Sequence, residues 1–130
     1  MVGGKVFILT KATGPISATI TACATGVTSM IVGDMMLKQN LADVVICGAV
    51  DFPLVEPILA GFATMNGAYR PKEGQPHEKP EKTSRPFSVN RRGFVVSEGA
   101  GCIILASEEF AKAHGGEVFR ADGKAFPFRR

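Results

Sequence analysis

The run Asp43-Val44-Val45-Ile46-Cys47-Gly48 is apolar without alternation and sits between turn-like residues. A strand of that kind has no polar side to offer water, so it must be covered on both faces, as in a parallel sheet flanked by helices. Before it, from Thr25 to Lys38, Val27, Met30, Ile31, Val32, Met35, Met36 and Leu37 cover a broad helical arc. That spacing predicts a largely buried helix, with Gly33 as a point of close packing. Further upstream Gly14-Pro15 punctuates the chain, and Ile16 to Thr21 alternates β-branched and small residues, the pattern of a short strand. Strand, helix, strand in that order predicts a βαβ unit and an α/β fold.

Composition narrows the classes further. At 130 residues, 45% hydrophobic and 21% charged, the chain reads as one domain with enough apolar residues for a core, and too short for an enzyme that needs two full lobes. A formal charge of +3, scattered along the chain, argues against a nucleic-acid partner. The longest apolar run, Val44 to Val50, falls well short of the roughly 20 residues a membrane helix needs. The start Met1-Val2-Gly3-Gly4-Lys5 lacks a signal-peptide pattern. Cys23, Cys47 and Cys102 are widely spaced and without histidine neighbours. They read as free thiols in a reducing cytoplasm, forming neither a metal site nor a disulfide framework.

Downstream, Glu56 to Met65 is compatible with a short helix carrying Ile58, Leu59 and Phe62 on one side. Tyr69 to Pro86 holds Pro71, Pro76, Pro80 and Pro86 among charged residues and reads as a surface loop, with Lys72, Lys79 and Lys82 alternating with Glu73, Glu78 and Glu81 as a solvated face. Phe94 to Val96 and Cys102 to Leu105 read as strands joined through Ser97-Glu98-Gly99-Ala100-Gly101. The lone G-x-G there lacks the helix and downstream acid of a dinucleotide site and is expected to be a tight turn. A polar helix from Ser107 to His114 stops at Gly115-Gly116.

The stretch Thr19-Ile20-Thr21-Ala22-Cys23-Ala24-Thr25-Gly26 carries the most chemistry, because it turns a strand directly into a helix with a cysteine at the junction. A free thiol with a pKa near 8.5 is only about 3% thiolate at neutral pH. At a helix N-terminus, unpaired N–H groups and the helix dipole favour the anion, and the same groups can hold the oxyanion formed when a thioester is attacked. Ala22, Ala24 and Gly26 let a carbonyl come close to the backbone. Spacing alone leaves two readings of Cys23 open: a nucleophile, or a small inert core residue. Neither His77, in the charged loop, nor His114, at a helix end, reads as its base, and Cys47 and Cys102, within apolar strands, read as core filler.

Taken together, Gly14-Pro15 and Thr21-Ala22-Cys23-Ala24-Thr25-Gly26 resemble the active-site motif of the β-ketoacyl-acyl carrier protein synthases, the condensing enzymes of fatty-acid and polyketide synthesis. Asp43-Val44-Val45-Ile46-Cys47-Gly48-Ala49, Gly61-Phe62, Ser84-Arg85-Pro86-Phe87, and Arg91-Arg92-Gly93-Phe94-Val95 through Glu98-Gly99-Ala100-Gly101 are similar to further family motifs in the same order. The resemblance implies a thiolase-like layered α/β fold, with a mixed five-stranded sheet and a buried helix capped by the cysteine. It also makes Val6 to Leu9 helical. It implies that Cys23 accepts an acyl chain from an acyl carrier protein, that a malonyl thioester then decarboxylates and attacks it, and that Phe62 lies near the acyl pocket. No cofactor or metal is implied, and the strand leading to Cys23 would lie at a homodimer or oligomer interface.

The departures carry equal weight. The two histidines that in the family assist decarboxylation and complete the oxyanion site, and a lysine, come from the C-terminal half of a longer chain, and those motifs have no counterpart here. Arg92 and Ser88 stand where aspartates are usual, Asp51 where glutamate is frequent, and Ser97 where glycine is. Residues 1–116 are therefore expected to form a partial ketoacyl synthase domain, the middle third of a condensing enzyme. Residues 117–130 would be a divergent basic tail, resembling a truncation or a frame change. The expected function is that of a family acyltransferase carrying the acyl-accepting cysteine but unable to complete condensation alone; the alternative is a non-catalytic structural or partner fragment.

Overall fold

A computed structural model of the chain describes residues 2–71, 73–74 and 78–115. The elements are α1 (Val2–Thr10), α2 (Thr25–Lys38), β1 (Val44–Asp51), α3 (Glu56–Thr64), β2 (Gly99–Ala106) and α4 (Glu108–Ala113), with 3-10 turns at Ala22–Ala24 and Pro80–Lys82. They fall into two compact units, one built on Met1–Ala49 and the chain from Gly101 onward, the other on Val50–Ala100. Among the described residues no helix is long and apolar enough to cross a membrane.

In the first unit β1 and β2 pair as a small antiparallel sheet. The Ser107 N–H, just beyond β2, donates to the Asp43 carbonyl at 2.9 Å and extends the ladder. Helix α2 lies across one face of this pair. A Cβ added to Gly33 would overlap Cys47 Sγ and lie 3.2 Å from Leu105 Cδ1 and 3.4 Å from Val45 Cγ1. One added to Gly26 would lie 3.6 Å from Ala49 Cβ. Small residues on the inner side of the helix thus bring its backbone down onto the strands, and among the described residues of this unit Cys47 is the buried apolar side chain. Burial pushes the Cys47 thiol up from the ordinary cysteine range, because the thiolate loses its hydration.

Helix α2 keeps the bounds its hydrophobic arc predicts. Beyond its last residue, Lys38, and the cap residue Gln39, Asn40 takes a left-handed φ of 54°, while the Leu41 N–H reaches back to the Met36 carbonyl at 2.9 Å. That is the Schellman arrangement, and asparagine is among the residues that tolerate it. At the other end of the chain, the Ser107 hydroxyl caps α4 by accepting from the Phe110 N–H. Gly115, at φ 66°, follows its last turn, while Gly116, the second glycine of the expected stop, lies outside the described residues.

Several expectations change. Ile16–Thr21 forms no strand, so there is no βαβ unit: the alternating side chains find no partner strand among the described residues, and Ile20 is 90% exposed. The β1–β2 pair is antiparallel and covered on one face; on the other, Ile46 and Ile104 remain 41% and 67% exposed. Gly99-Ala100-Gly101 opens β2 and is not a turn. The Gly101 carbonyl would stand only 2.7 Å from a Cβ on Gly48, so the glycines serve close strand contact. Phe94 makes a single parallel bridge to Ala68, and no strand continues to Val96.

The second unit is organised around Phe94. Its N–H donates to the Gly67 carbonyl at 3.0 Å, and its own carbonyl accepts from the Tyr69 N–H at 2.8 Å. Gly93, at φ 75°, permits this crossing, because a side chain there would run into the Gly67 carbonyl. The Phe94 ring meets Phe62 of α3 edge to face, with centroids 5.5 Å apart. Such a pair contributes about 0.5–1.5 kcal/mol beyond its area. Glu98 accepts at Oε1 from the Leu54 N–H at 3.1 Å and so fixes the segment that enters α3.

The expected solvated alternation of the charged loop is broken at Glu78. Its carboxylate takes Arg85 Nη2 at 2.9 and 2.8 Å and the Tyr69 hydroxyl at 3.4 Å, and it is half-buried. Lys72 and His77 lie outside the described residues. The hydrogen bond from Arg85 holds the Glu78 carboxyl below the usual carboxylate range. Desolvation opposes this, and the charges of Arg85 and Arg92 and the Tyr69 hydroxyl reinforce it.

Two predictions follow from these contacts. Alanine at Gly33 gains up to about 1 kcal/mol of helix propensity but meets an overlap that costs about 1–3 kcal/mol. Gly33→Ala should therefore lower the urea midpoint, whereas the same change in a Cys47→Ala background, where the sulfur is gone, should cost less or raise it; equal effects in both backgrounds would disprove the contact. For Glu78, a carboxyl that titrates lower when folded stabilises fully above its unfolded value and loses that contribution as pH falls through the folded one. Glu78→Gln should accordingly flatten the acid limb of stability measured by urea unfolding across that window.

Candidate functional site

Cys23 is exposed and occupies the middle of the Ala22–Ala24 turn, which runs directly into α2 at Thr25. Immediately before it, Ala22 has φ 49°, a left-handed conformation that costs a residue with a Cβ roughly 1–2 kcal/mol. Neighbouring groups must hold such a residue in place. The Ala24 N–H donates to the Thr21 carbonyl at 3.1 Å, and the Thr25 N–H to the Ala22 carbonyl.

Three threonines complete the frame. The Thr21 N–H donates to Thr25 Oγ1 at 3.0 Å, and Thr25 Oγ1 donates to the Ala22 carbonyl at 2.8 Å. Thr28 Oγ1 donates to the Ala24 carbonyl at 3.0 Å and lies 2.7 Å from Thr21 Oγ1. Hydropathy singles out none of these residues. The signal was in the spacing: Thr25 and Thr28 stand three apart on one helix face, and Thr21 just ahead of the helix start, where side-chain oxygens commonly bond nearby backbone.

Phe62, in the second unit, is half-buried against Phe94. His114 is the residue after α4; its Nδ1 lies 2.9 Å from the Phe110 carbonyl and its ring stacks on Phe110 at 4.0 Å, so it is engaged within its own helix end. Cys47 is buried as core filler, but Cys102 is exposed, since it lies on β2 opposite Gly48, on the sheet face that α2 does not cover. Where aspartate is usual, Ser88 still makes a local turn: its hydroxyl accepts from the Asn90 N–H at 3.3 Å and its carbonyl from Arg91 Nη1 at 3.1 Å.

The strain at Ala22 is open to test. Glycine relieves the left-handed conformation but loses chain entropy of similar size, so Ala22→Gly should change unfolding free energy little. Ala22→Val places a β-branched residue at positive φ and should destabilise by about 1–3 kcal/mol in urea unfolding.

Comparison with known proteins gives this turn its setting. The family model for the β-ketoacyl synthase N-terminal domain matches residues 1–111. The chain is 35% identical over 119 residues to 3-oxoacyl-[acyl-carrier-protein] synthase 2 of Rhizobium meliloti (strain 1021), covering 92% of this chain and 27% of that protein. It is 34% identical over 119 residues to the synthase of the same name from Staphylococcus aureus, covering 92% and 28%. Among solved structures it superposes with TM-score 0.81 and 27% identity on a chain of a complex between a type II PKS acyl-carrier protein and its ketosynthase bound to the hexaketide, covering 90% of this chain and 28% of that one. A β-ketoacyl synthase from Burkholderia phymatum STM815 gives TM-score 0.71 at 29% identity, covering 88% and 26%. The chain thus spans about a quarter of the length of the proteins it matches, and its fold is a part of the thiolase-like ketosynthase fold. By the match over residues 1–111, the chain belongs to the β-ketoacyl synthase family and represents part of its N-terminal domain.

Proposed function

We propose that the chain contributes the acyl-accepting nucleophile of a 3-oxoacyl-acyl carrier protein synthase, and that Cys23 is that nucleophile. The observation that carries the reading is an exposed thiol held in a constrained turn at the entry of α2. The Cys23 sulfur attacks the carbonyl of an acyl-carrier thioester, a carbon–sulfur bond forms, and the bond to the carrier sulfur breaks. The carrier leaves as its thiol, taking the proton that Cys23 gives up. The Ala22 carbonyl is turned toward α2, where it accepts from Thr25. In a trans peptide the Cys23 N–H then points the opposite way, and it is the proposed donor to the oxyanion.

Phe62 is proposed to line the acyl pocket, where an edge-to-face partner restrains its ring. The partners are acyl carrier proteins bearing acyl and malonyl thioesters, in keeping with the complex among the structural neighbours. A second copy of the chain is a further proposed partner, and free thiols suit a reducing, cytoplasmic setting. Condensation requires groups to assist decarboxylation; among the described residues the one histidine, His114, is engaged by Phe110, and this chain is proposed to stop at the acyl-enzyme.

A second reading, a non-catalytic partner fragment, draws on the open face carrying Ile46 and Ile104. Incubation with an acyl-carrier thioester followed by peptide mass analysis separates the two. The expected result is one acyl group on Cys23, none on Cys23→Ala, and no ketoacyl product when malonyl carrier is added. An unlabelled Cys23 in folded chain, together with concentration-dependent association, would favour the partner fragment.

A further inference from the structure

The contacts around the turn fix the direction of every hydroxyl proton within it. Each threonine hydroxyl has one proton to give. Thr25 gives its proton to the Ala22 carbonyl at 2.8 Å, and Thr28 gives its proton to the Ala24 carbonyl at 3.0 Å. In the 2.7 Å contact between Thr21 and Thr28, Thr28 can then only accept, so Thr21 is the donor. Thr25, its proton likewise committed, accepts from the Thr21 N–H.

Two independent arms leave Thr21, one through Thr25 and one through Thr28. They end on the carbonyls of Ala22 and Ala24, the two residues flanking Cys23. The Ala22–Cys23 peptide plane is thereby tied to α2 through Thr25, the Cys23–Ala24 plane is held by the Ala24 N–H on the Thr21 carbonyl, and the next plane, through the Ala24 carbonyl, is tied by Thr28, although Ala22 is held at a φ that its side chain disfavours.

We infer that Thr28, with Thr21 and Thr25, is a positioning residue for the Cys23 thiol: the hydroxyl network holds the strained turn so that the sulfur and its flanking amides keep a reactive arrangement. The inference rests on the reading of Cys23 as nucleophile. It goes beyond that reading in assigning the turn's geometry to side chains that bond the backbone on either side of Cys23.

The chain carries its own controls, since its three free thiols differ in setting: Cys23 exposed in the turn, Cys102 exposed on β2, and Cys47 buried under α2. The experiment measures iodoacetamide alkylation of all three at neutral pH by peptide mass analysis. Thr28→Val keeps the side-chain shape and removes one hydrogen-bonding arm. It is expected to slow Cys23 alkylation about three- to tenfold, the range of one net hydrogen bond, with Cys102 and Cys47 unchanged. Thr28→Ser should restore the rate, and Thr25→Val should slow Cys23 through the other arm.

A role in general stability would instead raise alkylation of Cys47, as α2 lifts off the sheet, and leave the ratio of Cys23 to Cys102 unchanged; that pattern overturns the inference. So does a fast Cys23 that keeps its rate in both valine variants. If Cys23 in the unaltered chain reacts no faster than Cys102, the nucleophile reading fails and the inference falls with it. Should Thr28→Val not fold, the Thr25→Val arm decides by the same criteria.

Discussion

The approach of α2 to the β1–β2 pair at Gly33 is the contact on which the first unit depends. A helix rides several ångströms above a sheet when its side chains intervene; here a missing Cβ lets Cys47 Sγ occupy the space against the helix backbone, with Leu105 and Val45 beside it. Packing this tight is unforgiving, because interiors are filled to crystal-like density and one added methyl has nowhere to go. Since α2 is also the element that the Cys23 turn enters, the height of the helix above the strands sets the position of the turn. The core and the site share one backbone.

The turn is built on a different principle. Around Cys23 there is little burial to hold the chain, as Thr21, Ala22, Cys23 and Ala24 are all exposed. Hydrogen bonds from threonine hydroxyls replace packing as the restraint, and they have to offset the unfavourable φ of Ala22. An exposed turn restrained in this way leaves its thiol accessible from solvent, which a buried one would not be. In the second unit Glu98 and Glu78 have comparable parts, the first gripping the entry to α3 and the second pinning a charged loop through Arg85 and Tyr69.

Local patterns in the sequence were read well and pairings less well, for a physical reason. The bounds of α2 follow from the spacing of Val27, Met30, Ile31 and their neighbours, since a helix satisfies its hydrogen bonds within itself. Ile16–Thr21 has the alternation of a strand, but a strand exists only with a partner, and alternation does not say where that partner is. Gly99-Ala100-Gly101 looked like a turn because glycine permits one; the neighbouring backbone at Gly48, distant in sequence, makes it a strand. The position of Cys23 at a helix entry was legible from Thr21 to Gly26, and the structure places it there. The threonine frame was legible only in the spacing of Thr21, Thr25 and Thr28, because hydropathy does not register a hydroxyl that bonds to backbone.

The sheet that carries Cys47 has a consequence for how the molecule behaves in bulk. Its uncovered side presents Ile46 and Ile104, and among the described residues its two strands have no third neighbour. A two-stranded ribbon is marginal in water on its own, and bare edges recruit extended chain from adjacent molecules. A ribbon with an open apolar face of this kind is expected to associate more readily as the polypeptide is concentrated, and to be protected by dilution.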